Sequence, residues 1–198
     1  MILDLVRHAS TGRAGHFDGR TDPPLLPGAA DAVCGGCAGI AWARVISSPR
    51  RRAVHTAQAL AGAQAVPVEV AEDWAEWDFG DWDGHHRDAI AVDDASRGAL
   101  QAFYRDPGAH PPPNAEPWPA FEARIERGLR ALASPEDAAP VLVVSHAGPL
   151  RMALALACGW PLASLWAVRI DYGTRVRLRV RNDAGDRLWG ELIEVRQA

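Results

Sequence analysis

Hydrophobic residues fall into short blocks of two kinds along this chain. Residues 2–6 and 141–144 are almost unbroken apolar runs, the pattern of strands buried on both faces. Residues 43–46 and 66–70 read as two more strands, the second alternating around Pro67 and Glu69. Between these blocks the spacing turns helical, near 28–39, 50–62, 95–105, 118–133 and 148–158. Phe121, Ile125, Leu129 and Leu132 recur at the intervals of one helix face. Strands alternating with helices predict a parallel sheet covered on both sides. The expected fold class is therefore α/β, a three-layer α/β/α sandwich with a mostly parallel central sheet, as one domain over residues 1–198. Residues 72–117 look irregular apart from the helix near 95–105, and prolines cluster at 111–113. Toward the end, Val176, Leu178 and Val180 alternate with Arg175, Arg177, Arg179 and Arg181. That pattern predicts a half-buried strand with a solvated arginine face. Asn182-Asp183-Ala184-Gly185 reads as a turn into a last strand around 187–195.

The strand-like runs 2–6 and 141–144 end alike, in Val6-Arg7-His8 and Val144-Ser145-His146. Loops leaving the carboxyl ends of parallel strands gather at one crevice. The two histidines can thus meet across most of the chain's length, with an arginine beside one of them. Such a cluster suits a phosphoryl group, whose transfer depends on positioning and positive charge. Further guanidinium groups come from Ser47-Ser48-Pro49-Arg50-Arg51-Arg52-Ala53, where a strand passes into a helix. Helix N-termini favour anions, and Ala147-Gly148 after His146 opens another. A nucleophilic histidine needs a neutral ring, and adjacent arginines lower its pKa. Covalent catalysis then divides one hard displacement into two easier ones. The departing alcohol needs a proton, and the acidic, aromatic stretch 72–82 offers several carboxylates. One held among tryptophan rings would have a raised pKa, as a general acid requires.

Composition narrows the reading. The net charge of −4 over 198 residues gives no global attraction to nucleic acid or anionic membranes. No apolar stretch of membrane-spanning length occurs, and the N-terminus enters a strand at once, so a cytoplasmic location is expected. All 21 basic residues are arginine, which excludes a Schiff-base or P-loop lysine and suits bidentate phosphate binding. The C-terminal arginine row lacks interleaved aromatics, so it offers no platform for RNA bases. Cys34-Gly-Gly-Cys37 has the spacing of metal ligands, but no second pair follows it. It sits in an alanine-rich, helical-looking segment and reads as structural. His85-His86 lacks the i,i+4 spacing of a common zinc motif. No metal or cofactor is expected, and a homodimer is allowed.

These residues together resemble the histidine phosphatase (phosphoglycerate mutase-like) superfamily over nearly the whole chain. The family opens with a strand ending Arg-His-Gly, similar to LVRHAST here. GRTDPPL at 19–25, SSPRRRAVHTA at 47–57, EWDFGDWDG at 76–84 and SHAG at 145–148 match its further motifs, in order. The resemblance implies that His8 is a phosphohistidine nucleophile. Arg7, Arg52 and His146 would bind the phosphoryl group, and Glu76 would be the general acid and then the base. It further implies substrate contacts from Ser10, Thr11, Gly19, Arg20 and Ala147. The chain departs from the family pattern at Ala9, Ser10, Ala14 and Pro117. The implied activity is metal-independent hydrolysis of a small phosphomonoester. The DFGDWDG stretch and short length look most like the alpha-ribazole phosphatase branch, which acts in cobalamin assembly. A mutase-type phosphoryl transfer and a pseudoenzyme that binds phosphorylated ligands are the alternatives.

Overall fold

A computed structural model describes residues 1–62, 64–132, 139–164, 166–182 and 187–198, leaving aside the side chain of Leu162. Six strands form one sheet: β1 (Ile2–Arg7), β2 (Arg44–Ser47), β3 (Val68–Val70), β4 (Val141–Ser145), β5 (Arg175–Asn182) and β6 (Leu188–Arg196). Their order is β3-β2-β4-β1-β5-β6. β1, β4, β2 and β3 are mutually parallel, β5 pairs antiparallel with β1, and β6 pairs antiparallel with β5. The sheet is thus mixed but mostly parallel: of the six strands, β5 runs against the other five.

Side chains alternate across the pleat, so each strand feeds two layers. On one face, Leu3, Leu5, Val143, Val176 and Leu178 pack against α5 (Trp118–Leu132) and α6 (Ala147–Cys158). On the other, Val6, Val45, Leu142 and Val144 pack against α1 (Ala29–Gly36) and α2 (Arg51–Gly62). The result is the expected three-layer sandwich. α5 buries Phe121, Ile125, Leu129 and Leu132, the residues whose spacing predicted it. α6 stops at Gly159, which takes the left-handed conformation (φ 67°) that glycine adopts without strain.

Two outcomes differ from the sequence reading. The stretch 72–117 contains short 3₁₀ turns at Glu72–Trp74 and Gly80–Trp82, a four-residue helix α3 (Arg87–Ile90), and α4 (Asp94–Arg105). Of these, only α4 shows a helical hydrophobic period. The arginine row of β5 is solvated over only part of its length: Arg179 and Arg181 are exposed, but the two before them are not. Arg175 is buried, and it and Arg177 bond to Asp4, which lies fully buried in the middle of β1. An ion cluster absorbs the charge that alternation alone assigns to solvent. Finally, residues 183–185 of the expected C-terminal turn and residue 133 of the expected helix lie outside the described residues. No helix among the described residues is long and apolar enough to cross a membrane.

Candidate active site

The parallel register sets the geometry. Arg7 lies opposite Ser145 in the β1–β4 ladder, so His8 and His146 leave the sheet side by side. The His8 amide donates to the Ser145 carbonyl at 2.9 Å, and the two imidazole rings stand 5.0 Å apart, edge to face. His8 Nδ1 lies 2.8 Å from the Ala9 carbonyl. A carbonyl only accepts, so Nδ1 carries the proton and Nε2 keeps its lone pair. Arg52 donates its Nε–H to that Nε2 at 3.3 Å. Burial, then the charges of Arg52 and Arg7, hold the His8 pKa well below the usual histidine value. His8 is a neutral base with its reactive nitrogen facing a guanidinium.

Arg52 is 1% exposed yet held from three sides. It donates to the carbonyls of Thr21 at 2.8 Å and Asp18 at 2.6 Å, and to the Asp22 carboxylate at 3.1 Å. The loop supplying these acceptors is itself fixed by Asp83, whose carboxylate accepts from the amides of Gly19, Arg20 and Thr21. Gly19 is required there, because a Cβ would stand 2.3 Å from the Trp77 carbonyl. Arg7 donates to the Ile170 carbonyl at 2.9 Å, and its guanidinium lies 4.0 Å over the Tyr172 ring. His146 caps the start of α6 and is fully buried. Its Nε2 is 2.7 Å from Ser48 Oγ, while its Nδ1 is buried without a partner. Burial first, then the charges of Arg52, His8, Arg7 and Arg50, lower its pKa strongly.

Glu76 reaches the same cavity from the loop after the first 3₁₀ turn. Its carboxylate accepts from the Trp77 amide at 3.0 Å and the Gly148 amide, at the start of α6, at 3.4 Å. A Cβ on Gly148 would come within 2.3 Å of Glu76 Oε1, so this approach needs glycine. Burial raises the Glu76 pKa, only partly offset by those amides and Arg52. Arg124 on α5 clamps the loop: it donates to the carbonyls of Asp73, Ala75 and Glu76 and pairs with Glu116. The neighbouring acids are occupied elsewhere. Asp73 pairs with Arg127, Asp78 with Arg20, and Asp81 with Asn114.

Arg7, His8, Arg52, Glu76, Thr11 and Ala147 line this cavity together with an aromatic wall. His146 lies against His8, behind the lining. Ser10, Gly19 and Arg20 do not line it. Ser10 Oγ accepts from the Gly12 amide, and Arg20 is exposed beside Asp78.

The sequence model of the histidine phosphatase superfamily (branch 1) matches residues 3–189. The chain belongs to the histidine phosphatase superfamily. This phosphatase is 34% identical over 179 residues to the adenosylcobalamin/alpha-ribazole phosphatase of Salmonella typhimurium, covering 87% of each chain. The protein of that name in Escherichia coli K12 is 31% identical, again over 87% of both. Among solved structures, the alpha-ribazole phosphatase of Shigella flexneri superposes with a TM-score of 0.82 at 26% identity. That superposition covers 100% of this chain and 96% of the other. A mycobacterial glucosyl-3-phosphoglycerate phosphatase shares the fold, with a TM-score of 0.83 at 22% identity over 97% of this chain and 96% of the other. The phosphatase acts, as its family does, on small phosphorylated substrates.

Several parts of the phosphatase site have no motif of their own in the sequence reading. Tyr172 touches three site residues: it lies under Arg7, its ring is 5.4 Å from His8, and its hydroxyl is 3.1 Å from Thr11 Oγ1. Nothing in the segment around it marks it as functional. Ser48 and Asp83 lie inside recognisable motifs, but their tasks, bonding His146 and pinning the 19–21 loop, depend on contacts invisible in sequence. Ala9 needs no glycine-like backbone: the positive-φ non-glycine residues among those described are Ala65 and Asn114.

Proposed function

We propose that this phosphatase hydrolyses alpha-ribazole 5'-phosphate in cobalamin biosynthesis through a phosphohistidine on His8. The observation that carries the catalytic reading is the neutral His8 Nε2, held 3.3 Å from Arg52 in a cavity shared with Glu76. Nε2 attacks phosphorus as the P–O bond to the alcohol breaks. Arg7, Arg52 and the Nδ1–H of His146 take the charge on the phosphoryl oxygens. Ser48 accepts from the Arg50 amide at 3.3 Å and can give its own proton to His146 Nε2, which leaves the His146 proton on Nδ1. Glu76, protonated at neutrality more readily than an exposed carboxylate, gives its proton to the leaving oxygen. It then takes one from the water that attacks the phosphohistidine, which frees phosphate and restores His8. No step calls for a metal. The substrate assignment rests on the names of the relatives.

The test is turnover of a panel containing alpha-ribazole 5'-phosphate, phosphoglycerates and phosphoserine, with phosphate release measured in EDTA. Alpha-ribazole 5'-phosphate should give the highest kcat/KM; a better phosphoglycerate, with isomerised product, would move the reading to mutase chemistry. Quenched labelled enzyme should carry acid-labile, base-stable phosphate on His8. Label on Ser10 or Ser145 would overturn the mechanism. The proposed setting is the cytoplasm, and sedimentation distinguishes a homodimer from a monomer.

A further inference from the structure

Beyond His8 and Glu76 the cavity continues into a chamber whose walls take no part in the steps above. They include Phe17, Trp77, Phe103, Tyr104, Trp118 and Trp166, and among the described residues no Leu, Ile, Val or Met lines the cavity. The rings brace one another. Trp77 meets Trp118 at 5.0 Å and 87°, Tyr104 meets Trp166 at 5.2 Å and 75°, and Trp77 stacks on Phe103 at 5.8 Å. Interlocked aromatic rings offer flat faces and ring edges that suit another ring, in offset or edge-to-face packing. The whole cavity, phosphoryl end included, measures about 160 Å³.

Two donors in this chamber lack acceptors. Trp118 Nε1 and Arg151 Nε are both buried without a hydrogen-bond partner. Arg151 lies on α6 one turn beyond Ala147, and both line the cavity. Its guanidinium sits 4.9 Å over the Trp166 ring, and its hydrogen bond to the Val168 carbonyl is long, at 3.5 Å. By contrast Arg13 holds Asp18, which lines the same cavity, by two bonds of 3.0 and 2.9 Å. The indole of Trp77 likewise donates to the Glu116 carbonyl at 2.8 Å. Unsatisfied buried donors are rare in native proteins and call for an explanation. An acceptor on the leaving group is the partner that either donor lacks.

We propose that Trp118 and Arg151 form a leaving-group subsite for phosphate esters of aromatic alcohols whose ring carries a hydrogen-bond acceptor, a ring nitrogen or an oxygen. The two residues set specificity: the aromatic walls select the ring, and the indole and guanidinium N–H groups select its acceptor edge. The subsite rests on the phosphatase reading of His8 and Glu76, because it takes the alcohol that those residues release.

Four esters with closely similar leaving alcohols test this: cyclohexylmethyl, benzyl, pyridin-3-ylmethyl and pyridin-4-ylmethyl phosphate. In the wild type, kcat/KM should rise about tenfold from cyclohexylmethyl to benzyl. It should rise about tenfold again to the better pyridylmethyl ester, the size expected of one charge-assisted hydrogen bond. Arg151→Met keeps the packing over Trp166, and Trp118→Phe keeps a ring. Each should bring the pyridyl-to-benzyl ratio toward one while preserving the benzyl-to-cyclohexylmethyl ratio. A merely structural role for either residue would lower all four esters alike and overturn its part in specificity. A wild type indifferent to ring and acceptor would overturn the subsite alone. Phosphate release from none of the esters, nor from nitrophenyl phosphate, would overturn the phosphatase reading and the subsite with it.

Discussion

Strand β1 carries two buried charge clusters, one in its middle and one at its end, and they are built on opposite terms. In the middle, the Asp4 carboxylate accepts from Trp42 Nε1 at 2.9 Å, Arg175 at 3.0 Å and Arg177 twice at 2.9 Å. Arg175 also reaches Glu194. Burial alone would raise the Asp4 pKa, but the bonds from Arg177, Trp42 and Arg175 bring it below the ordinary value. Three residues further on, pairing stays incomplete. Arg7 Nε and His146 Nδ1 are buried without partners, His8 is neutral, and Glu76 is displaced toward its protonated form. In the first cluster both Asp4 oxygens are met, with Arg175 Nε left over, and the cluster acts as a fastener. Incomplete pairing makes the second a receptor for a phosphoryl group, which brings the missing acceptors with it.

Substitutions should separate the two clusters by what they damage. The largest effect is expected at His8: His8→Ala should lower turnover on the order of 10⁴- to 10⁶-fold, the scale for loss of a covalent nucleophile. Its melting temperature should not fall by more than a few degrees. A retained phosphoenzyme in that variant would mean that another side chain is the nucleophile. Asp4→Ala should do the reverse. It takes the shared carboxylate from the buried Arg175 and the half-buried Arg177 and should cost about 3–5 kcal/mol of stability in urea unfolding, while kcat per folded molecule stays near wild type. A loss of kcat in that variant with an unchanged unfolding midpoint would abolish the contrast.

Arg52→Lys is intermediate. It keeps the charge but loses the fork, and roughly a 10- to 1000-fold drop in turnover is expected, as for one lost transition-state donor. Full activity would shift the phosphate ligand to Arg50 or Arg51. The smallest effect is thermodynamic. A raised carboxyl pKa means the folded state holds the proton more tightly than the unfolded chain. That contribution is fully present below the ordinary value near 4.5 and is lost as pH rises through the raised one. Glu76→Gln, neutral throughout, should therefore melt higher than wild type at pH 7–8, with the gap closing below pH 4.5. An equal gap at both pH values would show that Glu76 is ionised in the free enzyme.

The receptor was far more legible in the sequence than the fastener. His8 and His146 each end an apolar run, and Arg52 and Glu76 stand inside spaced motifs, so local pattern and chain order sufficed. Asp4 sits inside an apolar run, and its partner Arg175 lies 171 residues away. Alternation assigned the arginines to a face, but nothing local says whether that face is covered or what charge waits across the strand pair. The 72–117 stretch resisted for another reason. Its turns are held by single side-chain bonds, such as Asp78 to the Gly80 amide and Asn114 to Asp81, which leave no hydrophobic period. Tyr172 and Arg151 were missed because a cavity gathers its lining from segments that share no motif.

The central position of β1 also governs when activity can appear during synthesis. Its two neighbours in the sheet begin at Val141 and Arg175, so neither edge of the first strand can pair until most of the chain exists. At about 5–20 residues per second of translation, that strand waits roughly 7–30 s for β4 alone. Until then Leu3, Leu5 and Val6 stay an open apolar ribbon within reach of chaperones and other nascent chains. His8 and His146 cannot meet before β4 has been made, so this phosphatase is inert until translation has passed His146.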